Sequence, residues 1–226
     1  MSELPVAEAI RSVRARIAEA ARRAGRDPAG VGLVAVTKGV TADRVRVAAA
    51  AGISCIGENR VQEALGKAAA LADLDLEWHM VGHLQRNKVA AALGLFDVIQ
   101  SVDSTALLEE ISGRARALGR RQRVLLQVNV ARDPRKHGFE PDRLAAAVEI
   151  AGDLPGVQVE GLMTIPAQDA DPDKTRATFR ALRELRDRVA PGLAELSMGM
   201  TGDFEVAVEE GATLVRVGTG IFGSRN

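Results

Sequence analysis

Eight short β-rich runs, separated by longer segments of helical period, constrain this chain more than any other feature. The runs are Val31–Val36, Ile53–Ile56, Glu77–Val81, Val98–Ser101, Val124–Val130, Val157–Met163, Glu195–Met198 and Thr213–Val217. Segments rich in Ala, Arg, Glu and Leu lie between them, near residues 42–51, 60–71, 86–94, 104–118, 141–151, 173–189 and 203–210, and a long helical segment near 3–24 precedes the first run. Strands that follow one another in parallel need a crossover of a dozen or more residues, usually a helix. The alternation therefore predicts βαβ units and a parallel sheet. Eight such units fit a closed barrel better than an open doubly wound sheet, whose Gly-x-Gly-x-x-Gly fingerprint does not follow the first run. The length agrees, since 226 residues fall close to the roughly 250 of one (β/α)8 barrel. The expectation is a single α/β domain over residues 1–226, a (β/α)8 TIM barrel with an extra N-terminal helix. No low-complexity tract or hinge divides it, and the polar stretch Ala167–Asp173 is expected at the rim.

Composition narrows what such a barrel does. Lys plus Arg and Asp plus Glu both number 30, and aromatic residues make up 3%, so the chain offers neither the field nor the stacking platforms of a nucleic-acid binder. No stretch approaches the ~20 apolar residues of a membrane span. The acidic start Ser2–Glu8 is neither a secretory signal nor an acid-poor transit peptide. A single cysteine, Cys55, forms no intramolecular disulfide and suits the cytoplasm; it reads as a small buried strand residue.

The residues that carry chemistry gather at the strand exits, where barrels build their active face. Lys38 ends the apolar run Val34–Val36 and Thr37, and a lysine with a desolvated stem there is a candidate amine for a Schiff base with the aldehyde of pyridoxal 5′-phosphate (PLP). Gly218 permits close approach of backbone to an anion, Thr219 adds a hydroxyl, and Thr201 precedes a helix whose N-terminus favours phosphate. Asp203 and Glu205, in the first turn of that helix, repel a phosphate unless they turn away. Both glycine-rich loops also read as plain strand-to-helix turns. Arg216, near the end of the last strand, is a neighbour of Lys38 once a barrel closes. Facing a pyridine nitrogen it would keep that nitrogen unprotonated, an arrangement suited to racemisation or to carriage; it also reads as a salt-bridged rim residue. Asn59 is both a partner for the PLP phenolic oxygen and an N-cap for a helix at Arg60. The three histidines, His79, His83 and His137, are not spaced as a metal-ligand set and read as polar lining at the mouth. Lys136 offers a second amine there.

The ordered motifs Ala35-Val36-Thr37-Lys38, Gly57-Glu58-Asn59-Arg60-Val61-Gln62-Glu63, Trp78-His79-Met80-Val81-Gly82-His83-Leu84-Gln85-Arg86-Asn87-Lys88, Gly161-Leu162-Met163-Thr164-Ile165-Pro166, Ser197-Met198-Gly199-Met200-Thr201 and Val215-Arg216-Val217-Gly218-Thr219-Gly220-Ile221-Phe222-Gly223 resemble those of the pyridoxal phosphate homeostasis protein family over nearly the whole chain. The resemblance implies a barrel like the N-terminal domain of alanine racemase, PLP held as an internal aldimine on Lys38, and a role in the intracellular PLP supply without established turnover. It places Arg216 against the pyridine nitrogen, Ser197, Thr201, Gly218 and Thr219 in the phosphate loops, and Asn59 and Met200 beside the ring. Thr37 and Thr201 stand where the family often has serine. Lys136 matches a family lysine that receives or passes on PLP, and PLP-dependent apo-enzymes are the implied recipients. The competing reading is a single-domain amino-acid racemase. It lacks a second base, because the chain holds no tyrosine and only His79, His83, His137 or Lys136 could substitute. The chain also ends directly after its last barrel segment.

Overall fold

A computed structural model describes residues 5–166 and 171–224. Eight parallel strands close into a barrel in sequence order: β1 Gly32–Val36, β2 Cys55–Glu58, β3 Glu77–Met80, β4 Val98–Val102, β5 Gln122–Gln127, β6 Val157–Met163, β7 Glu195–Ser197 and β8 Leu214–Val217. The helices are α1 Val6–Arg23, α2 Ala42–Ala50, α3 Val61–Ala68, α4 Val89–Leu93, α5 Thr105–Ala117, α6 Leu144–Gly152, α7 Pro172–Val189, α8 Phe204–Glu209 and α9 Thr219–Phe222. Fold class and strand count match the sequence reading. Of the polar stretch 167–173, residues 167–170 lie outside the described residues. Among the described residues no helix is long and apolar enough to cross a membrane.

Most buried apolar side chains form one shell between strands and helices. In α1, Ile10, Val13, Ile17, Ala20 and Ala21 make a stripe of helical period that buries itself in that shell. One flank of that stripe ties down through Arg16 to Glu205 and Arg23 to Glu209, each at 2.8 Å. The barrel lumen has a different character. Side chains alternate along a strand, so the face that carries the small apolar cluster of Val98, Leu125, Met163 and Leu214 also carries Gln100, Gln127, Ser197 and Arg216. The lumen thus mixes a small apolar cluster with a line of polar side chains, and Glu77 and Arg123 pair at the end where the strands start.

Two of the differences from the sequence reading have identifiable reasons. β5 ends at Gln127 rather than Val130, because Val128 pairs with Phe139 of the returning loop. The Gly-rich segment after β8 contains the short helix α9, where a loop was expected, since Ile221 and Phe222 N–H groups close onto the Gly218 carbonyl at 2.9 Å. The strands β6 and β7 approach so closely at Gly161 that a Cβ there would lie 2.1 Å from the Glu195 carbonyl oxygen. Backbone on both sides cannot yield as a side chain would. Gly161→Ala is therefore expected to destabilise the barrel by about 1–3 kcal/mol, read as a lower urea midpoint; a loss under about 0.5 kcal/mol, the scatter of surface substitutions, would contradict this packing.

Candidate functional site

Lys38 is two residues beyond the end of β1, in a turn bound at each neighbouring position. Thr37 N–H donates to the Gly57 carbonyl at 2.9 Å, and Val40 N–H closes the turn onto the Thr37 carbonyl at 3.0 Å. Gly39, at φ +69°, takes the left-handed conformation that glycine adopts without strain, and its N–H donates to Glu63. Beneath the turn, the Lys67 ammonium donates to the Thr37 carbonyl at 2.7 Å and to the Val40 carbonyl at 3.3 Å. The same ammonium pairs with the buried Glu58 carboxylate, which also accepts from the Thr37 hydroxyl. Burial pushes the Glu58 carboxyl up, and the bonds from Lys67 and Thr37 act against that. The turn backbone is thus fixed while Lys38 itself is exposed. The expected burial of its stem is not observed, because the residue stands above the barrel rim and not within the strand.

Lys38 borders a cavity of about 240 Å³ whose walls also include Asn59, Met200, Thr201, Arg216, Gly218 and Thr219. These are seven of the eight candidate positions from the sequence. The eighth, Ser197, stands behind the wall and accepts from Arg216 Nη1 at 2.6 Å. The volume is below the roughly 300–1,000 Å³ of drug-sized ligand sites and is in keeping with one substituted ring. Val36, Lys38, Gly218 and Thr219 also border an adjoining cavity of about 430 Å³ on the outer side of the turn. A larger cavity, about 540 Å³, opens at the opposite end of the barrel, far from the strand exits, and touches Arg14, Cys55 and Glu77.

Arg216 is buried, not a salt-bridged rim residue. Its Nη2 donates to the Thr164 carbonyl at 2.8 Å, and burial pushes the guanidinium down to about 10 while Asp203 nearby holds it up. With two of its five N–H donors engaged in these bonds, others are available to a ligand in the cavity it lines. Behind Arg216 a chain of side chains crosses the lumen. The Ser197 hydroxyl donates to Gln100 Oε1 at 2.6 Å, so the Gln100 amide presents Nε2 to His79 Nδ1, also at 2.6 Å. His79 must then carry its proton on Nε2, which faces the Glu77 carboxylate at 3.1 Å without the alignment of a full hydrogen bond. Each donor points the same way, from the cation at the cavity to the anion at the barrel's far end. His79 was expected at the mouth and is instead inside the barrel, 3% exposed. The odd-numbered face of β3 is the lumen face, which carries it inward.

The glycine-rich loops meet as the sequence suggested. Thr219 Oγ1 lies 3.1 Å from Thr201 Oγ1, and Gly220 N–H donates to Thr201 Oγ1 at 3.2 Å. Of the two acidic residues there, Glu205 is turned away and Asp203 stays within the loop. Glu205 pairs with Arg16 of α1, and Asp203 Oδ1 accepts the Met200 N–H at 2.5 Å. Asn59 caps no helix, because α3 begins at Val61 with Arg60 in the cap position; its role narrows to the cavity wall. Lys136 does not border the cavity. Its Nζ donates to the carbonyls of Ile165 and Pro166 at 3.3 and 2.5 Å, and burial lowers its pKa. Cys55 starts β2 half-buried, with its thiol pushed up by burial. The sequence reading missed Glu58, Lys67, Gln100 and Thr164 as supports and Val81 and Ile165 as cavity walls. A glutamate at the exit of the second apolar run, Glu58, was the one signal available in the sequence for the first pair.

A model of the family described as alanine racemase, N-terminal domain, matches residues 9–226. The chain is 47% identical to a pyridoxal phosphate homeostasis protein of Pseudomonas aeruginosa over 98% of this chain and 96% of that one. It is 46% identical to one of Aquifex aeolicus over 96% and 97%. Among solved structures it resembles PipY of Synechococcus elongatus with PLP bound, at 42% identity and TM-score 0.84, covering 96% of this chain and 100% of that one. An alanine racemase of Clostridium difficile shares the fold at 13% identity and TM-score 0.77, over 98% of this chain and 57% of that one.

The far end of the side-chain chain titrates. Glu77 is held down at about 2, first by His79, then, against the cost of burial, by Arg123. Its folded value lies below the ordinary carboxylate value of about 4.3, so the stability it adds is present above about pH 4.5 and is lost as pH falls toward about 2. In thermal melts across that range Glu77→Gln is expected to flatten the acid limb of the stability profile; an acid limb as steep as the wild type's would show that this carboxylate is not the titrating link.

Proposed function

Because the chain belongs to the pyridoxal phosphate homeostasis protein family, built on the N-terminal domain of alanine racemase, we propose that it binds PLP through Lys38 and helps maintain the intracellular supply of that cofactor without turnover of its own. The observation that carries this reading is the convergence of Lys38, Asn59, Met200, Thr201, Arg216, Gly218 and Thr219 on one small cavity with Ser197 bracing Arg216. Bound there, PLP supplies an electrophilic aldehyde carbon and a conjugated ring. Lys38 would hold it through its primary amine. Arg216 offers N–H donors to an unprotonated ring nitrogen and, as a cation, opposes its protonation. The hydroxyls of Thr201 and Thr219 and the open backbone at Gly218 suit the phosphate, and Asn59 suits the phenolic oxygen. PLP-dependent apo-enzymes in the cytoplasm are the natural recipients.

Several placements support carriage over racemisation. Among the described residues bordering the cavity, Lys38 carries the one amine. His79 is enclosed in the lumen against Gln100, Lys136 is turned to two carbonyls, and His83 and His137 engage Asp103 at the rim. None is placed to return a proton from the face opposite Lys38.

Borohydride reduction of the PLP-loaded protein followed by peptide mass analysis is expected to place the pyridoxyl group on Lys38, and Lys38→Ala to be colourless. Label chiefly on another lysine, with Lys38→Ala still yellow, would overturn the assignment. Incubation of the loaded protein with L-alanine in deuterated water is expected to give no sustained Cα deuteration. Exchange accompanied by D-alanine, dependent on Lys38, would make the protein a racemase.

A further inference from the structure

The exits of β3, β4 and β5 bring together three side chains that the PLP reading does not use. His83 follows β3, Asp103 follows β4 and His137 lies on the loop that returns onto β5. His83 Nδ1 is 3.0 Å from Asp103 Oδ2, and His137 Nδ1 is 3.5 Å from the same oxygen. The two imidazoles stack, with centroids 3.9 Å apart and planes within 13°. Both Nδ1 atoms thus converge on one carboxylate oxygen, and a rotation of the two exposed rings out of the stack aims both at a shared spot beside it.

We propose that His83, Asp103 and His137 form a binding site for a divalent cation of zinc type at the barrel rim. Two ligands bound at the 2.0–2.2 Å typical of Zn–N and Zn–O lie roughly 3.3–3.6 Å apart around a tetrahedral centre, close to the separations already present. All three ligand atoms lie within 4.8 Å of one another. Imidazole and a single carboxylate suit zinc and its first-row neighbours and not calcium or magnesium, which prefer oxygen ligands alone. The remaining positions face solvent, because His83 and His137 are 42% and 59% exposed. Their backbones are held: Gly82 packs so tightly on Asn59 that a Cβ would lie 2.3 Å from its carbonyl oxygen, and the His137 carbonyl accepts from Gln127 Nε2 at 2.9 Å. Cations nearby on the same loop are engaged elsewhere, Arg135 with Asp133 at 3.0 Å and Lys136 with the Ile165 and Pro166 carbonyls. An ion here ties the loop that carries Lys136 to the exits of β3 and β4, beside the mouth. The inference stands on these three residues and not on the PLP reading.

The test is calorimetric titration of the full-length protein with Zn2+ after chelator treatment and dialysis, with Co2+ absorption as a second readout. One Zn2+ per chain is expected. His83→Ala and His137→Ala should each weaken binding by at least ~10-fold, with melting temperatures without metal near that of the wild type, as suits exposed positions. Asp103→Asn should weaken binding while keeping the loop shape. Lys38→Ala and Cys55→Ser should leave the affinity unchanged, which separates this site from the PLP cavity and from the Cys55–Glu77–His79 cluster at the other end. Absence of Zn2+ binding, binding indifferent to both histidine variants, or binding lost with Lys38 or Cys55 would each overturn the proposal.

Discussion

The burial of the Arg216 guanidinium inside the barrel is the constraint around which the polar half of the lumen is arranged. An isolated cation in a low-dielectric interior is costly by several kcal/mol unless its donors are satisfied and some negative charge is near. Among the described residues no carboxylate bonds to it, and Asp203 is the nearby negative charge. The Ser197 hydroxyl and the Thr164 carbonyl accept its hydrogen bonds, and Gln100 and His79 pass the polarisation on to Glu77. Because every donor in that series points the same way, each link fixes the next: the serine hydroxyl sets the amide orientation, and the amide sets the histidine tautomer. Such aligned chains polarise one another and hold a unique arrangement. The small apolar cluster of Val98, Leu125, Met163 and Leu214 lies on the same face of the strands.

The second organising contact is the buried Lys67–Glu58 pair under the Lys38 turn. Removing one member of a buried pair typically costs ~3–5 kcal/mol, because the other charge is left without a partner. The pair does more than add stability, since Lys67 also gathers the Thr37 and Val40 carbonyls on either side of Lys38. Lys38 sits on a turn held by these bonds while its own side chain is exposed. Thr37 takes part through its hydroxyl on Glu58, which gives a physical reason for a hydroxyl residue next to the lysine: either serine or threonine would serve.

Much of the architecture was legible in the sequence. The switch between strand and helix period repeats eight times, and parallel strands joined by helices have few other ways to hide both faces of a sheet. The position of Lys38 after an apolar run and the two glycine-rich loops at the last two strands pointed to one end of the barrel. Lys38 and Arg216 became neighbours in that reading only on the assumption of closure, which the β1–β8 pairing realises.

What the sequence by itself determined was local: which stretches are strands, which glycines allow tight turns, and which side chains carry an amine, a guanidinium or a hydroxyl. Only the tertiary structure decided what those groups face. His79 and His83 are four residues apart and go to different places, one into the lumen and the other to the rim beside His137. Asp203 and Glu205, alike in sequence, end on a backbone amide and on Arg16 of the first helix. The reason is that a strand's alternation fixes which face a residue takes but not what lies across it. Register, closure and the return path of each loop choose that partner, and they are set by packing among segments distant in the chain.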